Sequence, residues 1–502
     1  MTSNSPTPFA SVRFSFPAAA LSMLAVLWLY AIGWALIGYP IYRDQHLGAA
    51  IKYAHEGVDL LRPVIMGFNA TGTGTPQEFP LWQALAGLAL RLMGGWWGAA
   101  TIVSLLLFSL SLPFFWKAAK EDSDAKTAWI ALLFLLSQPL VFHLAGGAQT
   151  DGLSLALLFF LFYSSESLRT KPSSSVFFVC LFASCLLALI KLPYLMVGGG
   201  AAILRLLFVR RSTIYQWVFL CASGAIALII FWLWNHWCDH EIGQAVFRYR
   251  PLTFKEIPDW FLGSWEYRLN PLNYLKAGWR ALACLWGSFI LVGLTIYGLW
   301  KNPRSLGACL LYGALLTTMV FTKLVLVHRH YYLMYAPGVA MLNAAALSAL
   351  FPNPKKLIPL ILSPLLFLSL VQGLIDIEVV ATGDPHTKKM GTIIAQNTSE
   401  KDKLLIIGGG WGGDAFLHSG REGLSVDDTA LAENPDSCRA LKALGYTKFI
   451  WIAESPLLHA LQITNPGECG RTRERFPVKP APQTFSWRTI FWSDEIIIKE
   501  LP

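Results

Sequence analysis

The stretch Pro80–Met93, PLWQALAGLALRLM, decides how this chain threads a bilayer. As a helix it is only ~21 Å long, and a spanning helix needs about 20 mostly apolar residues to cross ~30 Å of hydrocarbon. An apolar run of this length lies at the interface or re-enters more often than it spans. If it stays at the surface, the basic loops Lys117/Lys120/Lys126, Arg169/Lys171, Arg205/Arg210/Arg211, Lys301/Arg304 and Lys355/Lys356 all fall on one side. The positive-inside rule makes that side cytoplasmic. If it spans, every one of those loops moves outside. The charge bias predicts that it does not span.

Around this segment lie 502 residues, 54% hydrophobic and only 14% charged. Soluble proteins carry about 25% charged residues, so the composition excludes a single soluble globule, a disordered chain and a fibrous repeat. The net charge of +9 is what cytoplasmic loops require and does not point to nucleic acid. Apolar runs near 18–39, 98–116, 127–145, 152–164, 176–190, 192–209, 215–236, 279–300, 305–322, 331–351 and 357–375 predict about eleven spans. The first is longer than a signal-peptide core, with no cleavage pattern after it, and reads as a retained span. Residues 1–376 are predicted as a membrane domain with a cytoplasmic N-terminus and a long outer first loop, 40–97. Residues 377–502 are predicted as a small soluble α/β domain on the outer face.

Of the eight cysteines, Cys180, Cys185, Cys221, Cys284 and Cys309 lie in apolar runs and read as small core residues. Cys438 and Cys469 sit in the soluble part; a bridge between them requires an oxidising compartment and is the minority reading.

Nearly every polar group with chemical potential lands on the predicted outer face. The first loop opens Tyr42-Arg43-Asp44-Gln45-His46 and continues into an amphipathic stretch. There Leu47, Ala50, Ile51 and Ala54 share one helical face, Lys52, His55 and Glu56 the other, and Gly57 is the expected cap. Asp44 thus starts an interfacial helix. Glu78 precedes the short apolar helix in Gln77-Glu78-Phe79-Pro80. His143 and Gln149-Thr150-Asp151-Gly152 join two apolar runs, Lys191 interrupts Leu-Ile-Lys-Leu-Pro193-Tyr194, and His328-Arg329-His330-Tyr331-Tyr332 opens a span. Each has a plain alternative: a helix cap for Asp44 or Asp151, a solvated loop for Glu78, a snorkelling side chain for Lys191. Together, ionisable groups bordering a bilayer indicate function. The His-Arg-His cluster is a natural anion site, because guanidinium forks onto phosphate oxygens. No His or Cys has convincing metal-ligand spacing. The set points to a lipid phosphate at the membrane surface beside an acid that accepts a proton.

These residues, in this order, resemble the multi-spanning GT-C glycosyltransferases, in particular the bacterial dolichyl-phosphate-mannose-protein mannosyltransferase-like and aminoarabinose transferase-like group. The matching landmarks are Asp44-Gln45-His46, Gly57, Glu78-Phe79-Pro80-Leu81, Gly94, Asp151, Lys191-Leu-Pro and His330-Tyr331-Tyr332-Leu333 before Pro337. The tail is similar to the outer-face domain of many members around Trp411 and Gly420-Arg421-Glu422-Gly423.

The resemblance implies transfer of a sugar from a polyprenyl-phosphate donor to a hydroxyl of a lipid, glycan or protein acceptor, usually with inversion. It implies an inner (plasma) membrane location with the site and the tail on the periplasmic side. Asp44 would be the general base and Asp151 would orient a cation or the acceptor. Lys191, Arg329 and His330 would hold the donor phosphate, and Glu78, His46, Tyr331 and His328 would contact substrate. Many relatives have Asp-Glu after the first span, whereas this chain has Asp44-Gln45. No cofactor is firmly implied, and a divalent metal stays open.

In the tail, Lys403–Gly408 and Lys448–Ile452 read as strands and Ser437–Gly445 as a short helix. Gly408, Gly410 and Gly413 have the spacing of a dinucleotide-binding turn. That reading is rejected, because Ser419-Gly420 cuts the following helix short and no complete βαβ unit is evident. Asn69-Ala-Thr71 and Asn397-Thr-Ser399 match glycosylation sequons on the predicted outer face, a chance match if the source is bacterial. The aromatic-rich segment 237–278, with His240, Arg248, Arg250 and Arg268, reads as a flap over substrate. The alternative function is a transporter or flippase of lipid-linked glycans. It would put ionisable groups near the midplane in broken helices, often with a repeated half; here they crowd one interface.

Overall fold

The computed structural model describes residues 16–36, 44–62, 78–208, 213–243, 258–351, 367, 385–407, 414–426, 435–452, 471–478 and 494–500. The span expected at 357–375, the turn Gly408/Gly410/Gly413 with Trp411, the sequon at Asn69, Arg210, Arg211, Arg248, Arg250, Lys355, Lys356 and Cys469 lie outside them. So do the side chains of Asp44 and Cys438.

The membrane part is helical: α1 (Phe16–Leu36), α2 (Asp44–Glu56), α3 (Leu81–Leu92), α4 (Gly98–Asp122), α5 (Ala125–Ser137), α6 (Pro139–Leu144), α7 (Asp151–Thr170), α8 (Ser174–Phe208) and α9 (Ile214–Gly243). The short helices α10 (Pro258–Leu262), α11 (Trp265–Leu269) and α12 (Pro271–Ala281) follow, then a π-helical turn, α13 (Phe289–Lys301), α14 (Leu306–Val320), α15 (Thr322–Val327), the 3₁₀ turn Arg329–Tyr335 and α16 (Ala336–Leu350). The expected flap is therefore partly helical: α9 runs on to Gly243, and α10–α12 occupy the rest of its described residues. Helix starts follow local chemistry. Asp124 accepts from Thr127 N at 2.9 Å, Ser305 from Ala308 N at 3.2 Å, and Asn270 from Leu272 N at 3.0 Å with Pro271 in the first turn.

Among the described residues, five helices are long and apolar enough to cross a bilayer, or six if the pair Pro271–Trp286 and Phe289–Lys301, bent by 91°, counts as one. The expectation of about eleven is not reached by single long helices. The run 279–300 is not one straight segment, because the chain turns at Gly287-Ser288 between the two members of that bent pair. Other apolar runs form helices of 10–17 residues.

Helix α8, however, holds two passes. Phe177 packs on Phe219 with ring centroids 4.8 Å apart, while Leu206 clusters with Leu220. In one straight helix Phe177 and Leu206 would be ~44 Å apart, so they meet neighbouring positions of α9 only if α8 doubles back. It does so at Lys191, whose φ of −152° and ψ of 92° leave the helical region, with Pro193 opening the returning half. The boundary predicted between 176–190 and 192–209 lies at that residue.

The short helix α3 starts and ends at one end of the bundle. Phe79 N donates to the Leu189 carbonyl at 2.9 Å, beside the Lys191 turn. Trp82 Nε1 donates to Ser104 Oγ near the start of α4 at 2.9 Å. The twelve-residue α3 approaches α2 closely at Gly87, where a Cβ would lie 2.8 Å from the Ala50 carbonyl oxygen, while Leu85, Leu88 and Leu92 are exposed. On α2, Leu47 and Ala50 are buried as the amphipathic pattern requires, and Gly57 N caps the helix on the Tyr53 carbonyl at 3.1 Å.

The C-terminal part carries a five-stranded sheet in the order β2-β1-β3-β5-β4, with β1 (Lys403–Ile407) parallel to β2 (Glu422–Val426) and β3 (Tyr446–Ile452). Strands β4 (Arg471–Val478) and β5 (Asp494–Glu500) continue antiparallel from β3. The parallel β1–β2 pair is joined across the six-residue helix Asp414–Ser419, a strand–helix–strand crossover that the sequence reading did not find. Leu404, Ile406, Phe416 and Ile450 form its core with Met390 and Ile394 of the helix Pro385–Asn397.

Candidate active site

The α8 turn presents Lys191 to the first residue of α7. Lys191 Nζ lies 2.5 Å from Asp151 Oδ1, with both residues buried. The sequence places a helix-breaking Lys-Leu-Pro opposite a helix that begins Thr150-Asp151, so both side chains leave chain ends at the same level. Asp151 therefore pairs with a cation rather than capping its helix. Glu78, just before α3, brings Oε1 to 4.0 Å from the same ammonium. Its other oxygen accepts from Thr150 Oγ1 at 2.9 Å and faces His46 Nε2 at 3.1 Å. The Thr150 backbone N–H donates to His46 Nδ1 at 3.3 Å. That bond assigns the imidazole proton to Nε2, from which it donates to Glu78. Four separate segments thus close one polar cluster, at the end of the bundle where α2 begins at Asp44.

Lys191 Nζ also sits 5.4 Å above the Tyr331 ring, a cation–π contact that helps hold a buried ammonium. The His330 ring lies tilted against that of Tyr331 at 4.4 Å between centroids, and His328 lies 5.4 Å from His330 and 5.6 Å from Trp260. Tyr331, His330 and His328 therefore join the site through ring contacts. Arg329 is exposed at the start of the 3₁₀ turn and makes no ion pair among the described residues, so it does not join the Asp151–Lys191 pair directly. Asp151 Oδ2 and Gln149 Nε2 are buried without a hydrogen-bond partner among the described residues; such atoms mark places where a ligand or water is required. No group of three His, Cys, Asp or Glu among the described residues is arranged to hold a metal ion.

Sequence reasoning missed Thr150 and Trp82. Thr150 supplies a hydroxyl and an amide to the cluster, and its signal was a hydroxyl residue directly before a buried acid at a helix start. Trp82 is fully buried 6.3 Å from the His46 ring. It follows Pro80-Leu81 in a run read only for its apolar length.

The C-terminal part rests on the same end. Trp97 packs on His418 at 5.4 Å, and Lys52 Nζ lies 3.5 Å from Glu422 Oε1. Burial, with Lys388 nearby, pushes the His418 imidazole down to about 4.

No family model matches the chain, and no curated protein matches it by sequence. Solved structures do. ArnT from Cupriavidus metallidurans bound to undecaprenyl phosphate superposes with a TM-score of 0.62 at 14% identity, over 96% of this chain and 97% of ArnT. The archaeal oligosaccharyltransferase AglB from Archaeoglobus fulgidus, in complex with an inhibitory peptide and a dolichol-phosphate, gives 0.53 at 11% identity over 86% and 69%. The arabinofuranosyltransferase AftD from Mycobacteria gives 0.52 at 14% identity over 97% of this chain and 40% of AftD. The chain therefore has the fold of these membrane glycosyltransferases, the GT-C fold that the resemblance implied.

Proposed function

We propose that this protein is an integral-membrane glycosyltransferase that moves a sugar from a polyprenyl-phosphate donor to an acceptor hydroxyl at the outer, periplasmic face of the inner membrane. The observation that carries this reading is the buried Asp151–Lys191 pair, joined to Glu78, His46 and Tyr331 at the end where α2 begins at Asp44. The polyprenyl-phosphate ligands of ArnT and AglB support the donor class, and the peptide on AglB supports an acceptor outside the bilayer. Residues 1–376 act as the catalytic domain, and 377–502 as a soluble periplasmic domain covering its mouth.

The chemistry follows from where charge moves. As the glycosidic bond breaks, electron density shifts to the departing phosphate, and cations fixed beforehand stabilise that state more than the bound donor. Arg329 and His330 meet the phosphate from the 3₁₀ turn. Lys191, already neutralised by Asp151, offers its remaining donors and keeps the floor of the site rigid. Asp44 takes the proton from the acceptor hydroxyl, which requires ~3 Å between carboxylate and nucleophilic oxygen. His46, two residues along α2, ties the start of that helix to Glu78 and Thr150. No nucleotide takes part, because the donor is activated before it reaches this site.

Mass spectrometry of lipids that co-purify with the full chain, followed by transfer assays with polyprenyl-phosphate sugars, tests the reading. A polyprenyl-phosphate adduct and sugar transfer that Asp44→Asn abolishes are expected. Movement of an intact lipid-linked glycan between leaflets without bond cleavage would replace the enzyme by a flippase.

A further inference from the structure

We propose that the opposite end of the bundle holds a second site, a cavity that clasps the phosphate of an anionic phospholipid between Lys301 and Arg304. Helix α7 carries Asp151 at one end and Glu166 at the other, ~22 Å along its axis. Around Glu166 the chain builds a closed ion network. Arg205 Nε lies 3.2 Å from Glu166 Oε1 and Arg169 Nη2 2.8 Å from Glu166 Oε2, while Arg205 also pairs with Asp122. Asp122 further accepts from Leu306 N at 2.9 Å. Two carboxylates and two guanidinium groups cancel, so the network is a structural anchor with no charge to spare.

Beside it opens a cavity of about 530 Å³, lined by Asp122, Thr127, Arg205, Lys301, Asn302 and Arg304. That volume is in the range of small-molecule sites. Lys301 and Arg304 are exposed, and neither pairs with a carboxylate among the described residues. Aromatic faces hold them instead: Lys301 Nζ lies 4.5 Å from the Trp300 ring centroid, and the Arg304 guanidinium 6.0 Å from that of Phe208. With Asp122 committed to Arg205, the mouth carries two uncompensated cations and selects an anion.

Its surroundings select a lipid. Trp116 and Trp129 pack with ring centroids 5.3 Å apart, with Lys120 over Trp116. Tryptophans and lysines of this kind collect at headgroup level. The inner wall is apolar, from Ala119, Ala131, Met341 and Ala345, which suits glycerol and the first acyl carbons rather than a free ion. Basic pockets between spanning helices on the positively charged face are where acidic headgroups bind.

The test is native mass spectrometry of the full chain in mild detergent, titrated with cardiolipin or phosphatidylglycerol against phosphatidylcholine. The anionic lipids should remain bound and phosphatidylcholine should not. The pair Lys301→Gln/Arg304→Gln should lower occupancy at least tenfold. Lys117→Gln/Lys171→Gln, with the same charge change on the same face and away from the cavity lining, should leave it unaltered. Ala345→Phe, which fills the cavity and keeps its charges, should also lose the lipid. Occupancy that survives both cavity variants, or falls equally in the control pair, overturns the site. Displacement of the lipid by millimolar inorganic phosphate alone overturns the lipid as its ligand.

Discussion

Lys191 Nζ stands 2.5 Å from Asp151 Oδ1 and 4.0 Å from Glu78 Oε1, so one ammonium ties the start of α7 to the segment before α3 at the turn of α8. Removing one partner of a buried pair leaves an uncompensated charge, which costs about 3–5 kcal/mol. Asp151→Asn or Lys191→Met alone should therefore lower thermal stability in detergent clearly. The double variant should recover much of that loss, because neither charge is left alone. Sugar transfer should stay lost in all three. A double variant no more stable than the worse single would show that the pair does not act as a unit.

Asp44→Asn should reduce turnover ~10²–10⁴-fold, the usual contribution of a general base, while donor binding and thermal unfolding stay unchanged. The helix it opens is anchored by the buried Leu47, Ala50 and Tyr53 rather than by its own carboxylate. Wild-type turnover in this variant would remove Asp44 from the mechanism.

Arg329→Ala should raise the donor KM more than it lowers kcat, because exposed Arg329 has no ion pair among the described residues to lose on substitution. Steady-state kinetics with a water-soluble short-chain polyprenyl-phosphate sugar separate the two. An unchanged donor KM would make Arg329 a surface residue.

How much of this was legible in the sequence follows from which forces act locally. Asp44 at a helix start, Gly57 as its cap and the break at Lys191-Leu-Pro193 are decided within a few residues of chain. The apolar length of α3 was legible too, and its bonds to Leu189 and Ser104 at one end of the bundle agree with a surface helix. Partnerships were not legible. Nothing near Thr150 announces that its hydroxyl and amide join Glu78 and His46, because the bonds cross 72 and 104 positions. The candidate span over 279–300 is bent by 91° at Gly287-Ser288, which hydropathy could not show, because it records apolarity and not direction. In the tail, a helix of only six residues suffices to carry β1 over to a parallel β2, shorter than the helix required of a strand–helix–strand unit.

Gly87→Ala should disturb the site without touching a polar residue. A Cβ there would lie 2.8 Å from the Ala50 carbonyl oxygen and 2.8 Å from Tyr53 Cβ, so α2 and α3 must separate. Overpacking of this kind costs ~1–3 kcal/mol, and it displaces His46 and the start of α2 from Glu78. Transfer should fall at least tenfold, with an added loss of thermal stability. Gly94→Ala is no substitute control, since Gly94 has a φ of +65°; Gly33→Ala is, because nothing lies within 4 Å of its added Cβ.

Acid should loosen the contact between the C-terminal part and the membrane part. The His418 imidazole, held down to about 4 by burial and then by Lys388, packs on Trp97 in its neutral form. A histidine whose folded value is depressed contributes stability that is fully present above its unfolded value of about 6.5 and is lost as pH falls toward 4. The ring is partly exposed, so the effect at pH 5 is discounted to about 1 kcal/mol. Hydrogen exchange over 414–426, corrected for intrinsic rates, should be faster at pH 5 than at pH 7.5. His418→Phe keeps the ring contact with Trp97 and removes the titration, so its exchange should lose that pH dependence. Equal acid sensitivity in wild type and His418→Phe would assign the loosening to another group, with Lys52–Glu422, 3.5 Å apart on the same contact, next to be tested.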